Sequence, residues 1–247
     1  MSTNLVSWYS PALNITLNKH EVHLWCLSLE RSKENIQDLL QILSPGERMR
    51  ANRFGFDKDR DNFIVARGLL RQILSRYLEL EPSNINFHYN QYGKPEINID
   101  GYNLCFNISY SHELILIGVS QNRLIGVDLE YIYNDFPCGQ VAETLFSPHE
   151  YSALLKLPEN LQHQAFFNCW TRKEAYVKAT GRGFSIPLDQ FNVSFIPGEV
   201  AMLLNTRWDI KEASRWCLKE FIPCSGYVGA LAVEGNDWQL RILNFQG

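Results

Sequence analysis

The sequence predicts an α+β fold, on three observations. Runs of strand length, apolar or alternating, recur at 22–29, 104–110, 115–119 and 125–130, and four more follow Pro187. Helical patterns occupy 33–43, 57–80 and a stretch ending at Thr180, each closed by a stop signal. A hydrophobic content of 45% in 247 residues suffices for the core of one large domain or two small ones.

Bulk properties exclude several classes. A net charge of −4 gives no global attraction to nucleic acid. No apolar run is long enough to span a bilayer, and Met1-Ser-Thr-Asn lacks a signal-peptide layout. The cysteines at 26, 105, 138, 169, 217 and 224 form no Cys-x-x-Cys and read as free, mostly buried thiols. The expected compartment is the reducing cytoplasm, where the Asn-x-Ser/Thr triplets at Asn14, Asn107 and Asn192 carry no glycan.

Taken in order, Val22 to Leu29 is a first strand, with Val22, Leu24 and Cys26 on one face. His20 and His23 lack a third ligand nearby and read as strand-edge histidines. Lys33 to Leu43 places Ile36, Leu39, Leu40 and Leu43 on one helical stripe. Ser44-Pro45 is an N-cap followed by proline at the first helical position, and the helix it opens carries Arg48, Arg50 and Arg53. Asp57 to Leu80 is a longer helix punctuated by Arg60, Arg67 and Arg71, and Glu81-Pro82 ends it. Guanidinium groups on neighbouring helices can cradle phosphates through paired donors, or simply solvate the helix surfaces. Ile85 to Tyr89 is a short strand, and Tyr92-Gly-Lys-Pro95 a turn in which Gly93 admits a flat group and Lys94 reaches outward. Two strands, 104–110 and 115–119, lead to a third.

In that third strand, Ile125, Val127 and Leu129 alternate with Gly126, Asp128 and Glu130, so both carboxylates share one face. Paired carboxylates repel unless a cation or proton lies between them, and oxygen ligands suit Mg2+. The alternative is a solvated pair on an open sheet face. Residues 134–140, with Pro137 and Gly139, read as loop, and Ser147-Pro148 caps a further helix. Phe166 to Thr180 is a helix stopped by Gly181-Arg-Gly183, with Trp170, Glu174 and Lys178 on one face. The segments 191–196, 216–221, 227–233 and 238–243 read as antiparallel strands.

Gly126-Val-Asp-Leu-Glu130, a gap of roughly forty residues, and Trp170-x-x-Lys-Glu-x-x-x-Lys178 together resemble the signature of the Sfp-type 4′-phosphopantetheinyl transferases. Ser44-Pro45 with its arginines, Tyr92-Gly-Lys-Pro95, Phe106-Asn-Ile-Ser109 and Phe146-Ser-x-x-Glu150 fall in the family's order, so the resemblance runs from Ser44 to Pro187. It implies two similar α+β halves in pseudo-twofold packing with a ligand cleft between them, although no residue-level repeat is evident. The implied division is 1–122, for coenzyme A contacts, and 123–247, for the metal site and catalytic helix.

The implied reaction moves 4′-phosphopantetheine from coenzyme A to a serine of an apo acyl or peptidyl carrier protein, leaving adenosine 3′,5′-bisphosphate. Asp128, Glu130 and Glu174 are the expected Mg2+ (or Mn2+) ligands, and Glu174 and Lys178 the expected catalytic residues. Whether Glu174 is mainly ligand or base stays open. Coenzyme A contacts are expected from Arg50, Arg67, Tyr92, Gly93, Lys94, Pro95, Ser109, Tyr110 and Lys178. One position departs from the pattern: Asn107-Ile-Ser109 is followed by Tyr110 where the family has histidine, and His112 is a candidate substitute. Tyr131, Tyr133 and Phe136 are either carrier-facing surface or core. The competing readings are a Mg2+-dependent phosphodiesterase and a non-catalytic coenzyme A or carrier-binding module. A monomer serving fatty-acid, polyketide or nonribosomal-peptide carriers, with no membrane or nucleic-acid partner, completes the expectation.

Overall fold

A computed structural model describes residues 15–30, 33–99 and 101–244. Asn14 and the segment from Met1 lie outside the described residues. The strand β1 (Glu21–Ser28) is followed by helices α1 (Lys33–Ile42), α2 (Pro45–Ala51) and α3 (Asp57–Leu78). A hairpin of β2 (His88–Tyr89) and β3 (Pro95–Glu96) leads to β4 (Leu104–Ser111), β5 (Leu114–Gln121) and β6 (Ile125–Tyr131). Helices α4 (Cys138–Leu145), α5 (Pro148–Leu155) and α6 (Glu159–Thr180) come next. The chain then forms β7 (Phe191–Val193), β8 (Leu203–Thr206), β9 (Trp216–Phe221), β10 (Tyr227–Glu234) and β11 (Gln239–Asn244).

Alternation along the strands builds the layers. One sheet has the order β11-β1-β5-β4 and another β6-β10-β9. Trp25 and Leu27 of β1 pack with α3, whereas Val22, Leu24 and Cys26 meet Ile125, Val127 and Leu129 of β6. On β10, Val228, Ala230 and Ala232 face α6, and Leu231 and Val233 join the apolar layer between the sheets. The order is therefore helices, sheet, sheet, helices. No described helix is long and apolar enough to cross a membrane.

Several expectations are corrected. Strand β11 pairs parallel with β1, not antiparallel with its sequence neighbours, so a division at residue 122 leaves this strand with the first sheet. His23 lies on a central strand, fully buried, with Nδ1 2.8 Å from the Tyr77 hydroxyl; it is not at an edge. Pro137 is the N-cap of α4 and Gly139 sits in its first turn, so residues that read as loop open a helix. The expected strand 85–89 shrinks because the Arg71 guanidinium takes the Pro82 and Ile85 carbonyls at 2.8 and 2.9 Å. Helix α6 begins at Glu159, earlier than its apolar pattern shows.

Candidate active site

The site is built where β6 meets α6. Gly126, Asp128 and Glu130 face the helix, not solvent, and Gly126 is what lets the two elements touch. A Cβ there would lie 2.0 Å from the Ala175 carbonyl oxygen and 2.3 Å from the Ala179 nitrogen. Asp128 is buried at 3% exposure, which removes the open-face alternative. Across α6, one turn apart, Trp170, Glu174 and Lys178 face the strand. The Lys178 ammonium donates to Asp128 Oδ1 at 2.5 Å and to the Ser109 hydroxyl at 3.0 Å. The Trp170 indole donates to Glu130 Oε1 at 3.2 Å.

Strand β4 supplies a second set of partners. Its alternate residues Asn107, Ser109 and Ser111 reach across to β6, at the edge of the other sheet. Asn107 Oδ1 accepts from the Val127 amide at 2.8 Å, and Ser111 Oγ from the Tyr131 amide at 3.1 Å. Ser109 donates to Asp128 Oδ1 at 3.1 Å and Ser111 to Glu130 Oε2 at 3.0 Å.

The electrostatics leave the acids short of positive charge. Burial raises the Asp128 carboxyl, against the pull of Lys178 and Ser109. Burial and the neighbouring Asp128 raise Glu130 to about 7, and the same two causes raise Glu174. Burial disfavours the Lys178 charge, but Asp128, Glu174 and Glu130 outweigh it and the net direction is up. Asp128 Oδ2 is buried with no hydrogen-bond partner among the described residues. Acceptor-only oxygens that are buried, clustered and under-neutralised fit a hard divalent cation. Among the described residues no three such side chains yet converge on one point. In this arrangement Lys178 neutralises Asp128 directly.

A cavity of about 500 Å³ adjoins the site, lined by Tyr92, Gly93, Lys94 and Pro95 on one side and by Trp170, Glu174, Lys178, Gly181, Phe184 and residues 186–189 on another. Arg50 instead lines a separate recess of about 580 Å³, with Arg53 and Tyr89. Tyr110, half exposed, lies within the electrostatic reach of Arg50, Asp59, Arg67 and Lys178; burial raises its phenol.

Two expected phosphate cations are engaged inside the protein. Arg67 is 8% exposed; its Nε donates to Glu47 at 2.8 Å, and its guanidinium lies 4.6 Å from the Phe87 ring centroid. Lys94 donates to three backbone carbonyls, those of Ile125, Lys178 and Ala179, at 3.1, 2.7 and 3.0 Å, and burial lowers it to about 8. His112 turns away from the Tyr110 position. It adopts φ 52° in the β4–β5 turn and stacks on Tyr131 at 4.8 Å. Phe136 packs on Phe166 and Phe167 as core, whereas Tyr133 is 44% exposed.

Sequence reasoning named Ser109 only as a coenzyme A contact, and missed Ser111 and the buried clamp beside Glu174. The Lys173 ammonium, fully buried, donates to Glu150 at 2.8 Å and to the Leu188 and Phe191 carbonyls at 2.7 and 2.6 Å. The available signal was the repeated Ser-Pro-x-Glu at 44–47 and 147–150, which forms a capping box at both places.

The 4′-phosphopantetheinyl transferase superfamily matches residues 124–232, and the family described as 4′-phosphopantetheinyl transferase, N-terminal, matches 29–122. The 4′-phosphopantetheinyl transferase HetI of Nostoc sp. is 38% identical over 242 residues, covering 97% of this chain and 98% of its own. The 4′-phosphopantetheinyl transferase Sfp of Bacillus subtilis is 33% identical over 163 residues, 66% of this chain and 70% of Sfp. The transferase gsp of Aneurinibacillus migulanus is 37% identical over 135 residues, 54% of each chain. A relative matched over nearly its whole length, with both halves recognised separately, means that the chain belongs to the Sfp-type 4′-phosphopantetheinyl transferases.

Proposed function

We propose that this protein transfers 4′-phosphopantetheine from coenzyme A to a serine hydroxyl of an apo acyl or peptidyl carrier protein. One observation carries the reading: a buried, under-neutralised acid cluster, Asp128, Glu130 and Glu174 with Lys178, borders a cavity walled by the Tyr92–Pro95 turn. The halves 1–122 and 123–247 would form a pseudo-twofold pair, with strand 239–244 returning to the first, and coenzyme A would lie in the cleft between them.

Asp128, Glu130 and Glu174 would hold Mg2+, which when bound supplies charge neutralisation at the pyrophosphate. Lys178 would bind the same phosphate oxygens. Arg50, with Arg53 beside it, and Arg67, whose Nε holds Glu47, are the proposed cations for the 3′-phosphate. Glu174 would accept the serine proton, a role its raised pKa favours near neutral pH. The serine oxygen then attacks the phosphorus bearing the pantetheine arm. The bond to the nucleotide breaks, and adenosine 3′,5′-bisphosphate leaves. One chain supplying both walls favours a monomer, and the free cysteines favour the reducing cytoplasm.

Mass spectrometry of an apo carrier protein incubated with the enzyme, coenzyme A and Mg2+ tests this. The expected result is a gain of one phosphopantetheine, abolished reversibly by EDTA. No mass gain, with hydrolysis of bis(p-nitrophenyl) phosphate instead, would assign a phosphodiesterase. Transfer that persists in excess EDTA would remove the metal.

A further inference from the structure

The turn Asn90–Lys94 does more than border the cavity. Each hydrogen of the Lys94 ammonium has a backbone acceptor, and a lysine has three donors to give. Two acceptors, the Lys178 and Ala179 carbonyls, belong to the last turn of α6, which carries the negative end of the helix dipole; the Lys178 carbonyl also accepts from the Gly181 amide at 3.3 Å. The third is Ile125, the first residue of β6. Asn90 adds a fourth tie, with its Nδ2 3.0 Å from the Gly181 carbonyl oxygen. Its Oδ1 meanwhile holds the turn, accepting from the Tyr92 and Lys94 amides at 2.9 and 3.0 Å.

Gly181 completes the fit. It caps α6 at φ 68°, and a Cβ there would come within 3.0 Å of both Lys94 Cδ and Asn90 Nδ2. The helix end is bare where the turn lies on it. The lysine thus joins the helix bearing Glu174 and Lys178 to the strand bearing Asp128 and Glu130, from an element that belongs to neither.

We propose that Lys94 is a positioning residue for phosphopantetheinyl transfer, whose ammonium fixes the end of α6 against the start of β6 and so sets Lys178 and Glu174 opposite Asp128 and Glu130. The inference rests on the transferase reading above. A lysine serving a ligand phosphate would need a free donor, and all three Lys94 hydrogens already have acceptors. Replacement by arginine separates the roles. A phosphate contact tolerates a guanidinium, whereas the tripod of carbonyls beside Gly181 leaves no room for its larger planar head.

Steady-state kinetics of Lys94→Met and Lys94→Arg, with coenzyme A and an apo carrier protein, test this. Both variants are expected to lose about thirtyfold or more in kcat, with KM for coenzyme A within about threefold of wild type. The same ratio is expected with dephospho-coenzyme A. A raised KM in Lys94→Met that Lys94→Arg restores would overturn the proposal in favour of a ligand contact. Asn90→Asp keeps the acceptor that holds the turn and removes the Gly181 tie together with the exposed Glu96 contact at 3.3 Å. It should lower kcat about threefold without moving KM, and it stands in should Lys94→Met melt below the assay temperature. Wild-type kinetics in Asn90→Asp would also overturn the strut. An inactive wild type in the same assay sinks the transferase reading itself, which keeps the two failures apart.

Discussion

Helices α3 and α6 are built on one plan and used for different ends. Both have 22 residues, and both follow a short helix opened by Ser-Pro-x-Glu. In each, the glutamate closes its own capping box and then holds the cation at the fifteenth position of the long helix, Arg71 in one and Lys173 in the other. Each cation also takes two carbonyls just beyond its helix: Pro82 and Ile85, or Leu188 and Phe191. The plan diverges one residue later. The sixteenth and twentieth positions are Gln72 and Arg76 in α3, but Glu174 and Lys178 in α6. The strands diverge too: β1 buries apolar residues on both faces, while β6 turns Gly126, Asp128 and Glu130 to the helix. Even the caps differ. Helix α3 ends on Glu79 at φ 53°, and α6 ends on Gly181 because the Asn90–Lys94 turn lies against it. The clamp is scaffold, kept in both regions; the chemistry needs only two further helix positions and one strand face.

The strongest test makes α6 resemble α3. Glu174→Gln should lower kcat at least about a hundredfold, as loss of a proton acceptor does, while Gln72→Glu leaves it unchanged. Substantial activity in Glu174→Gln would mean that the sixteenth position does not separate the helices.

Removing the clamps tests what the regions share. Glu150→Gln leaves Lys173 buried without its counter-ion, and Glu47→Gln does the same to Arg67 and Arg71. Each is expected to cost about 3 kcal/mol in urea unfolding. For Glu47, burial raises the carboxyl, but Arg67, Ser44 and Arg71 outweigh it and the net direction is down. Its stabilisation is therefore present above about pH 4.5, the ordinary carboxylate value, and is lost as pH falls through the lower folded value. A clamp whose loss costs nothing would break the parallel.

Acidity sharpens the contrast, because among the described residues the carboxyl groups with raised values, Asp128, Glu130 and Glu174, all lie where β6 meets α6. Glu130, at about 7, must release its proton to bind a cation. Mg2+ affinity should be about tenfold weaker at about pH 6 than at about pH 8, and Glu130→Gln should flatten that dependence. Titration calorimetry in two buffers reads both the affinity and the proton released. A flat wild-type profile would place the cation elsewhere.

The smallest effect is expected at Tyr110, between the two regions. Tyr110→His should bind coenzyme A better at low pH than at high pH, relative to wild type, because imidazolium attracts phosphate. Arg50, Arg67 and Lys178 act on this position and oppose a further positive charge, with Asp59 alone favouring it, which limits the gain to about twofold. Identical profiles by calorimetry would mean that no phosphate reaches Tyr110.

What the sequence determined by itself is what local geometry controls. Period two put Gly126, Asp128 and Glu130 on one face, and spacing of four put Trp170, Glu174 and Lys178 on another. Capping and stop signals located α2, α5 and the end of α6, because these bonds close within a few residues. The tertiary structure decided what each group meets. Nothing near Lys94 or Arg67 in sequence announces that their donors go to Lys178, Ala179 and Glu47, or that Ser109 and Ser111 reach the carboxylates of another sheet. The parallel return of β11 to β1 is likewise a pairing of distant strands. A side chain's type fixes how many hydrogen bonds it can make; only the packed chain supplies the partners.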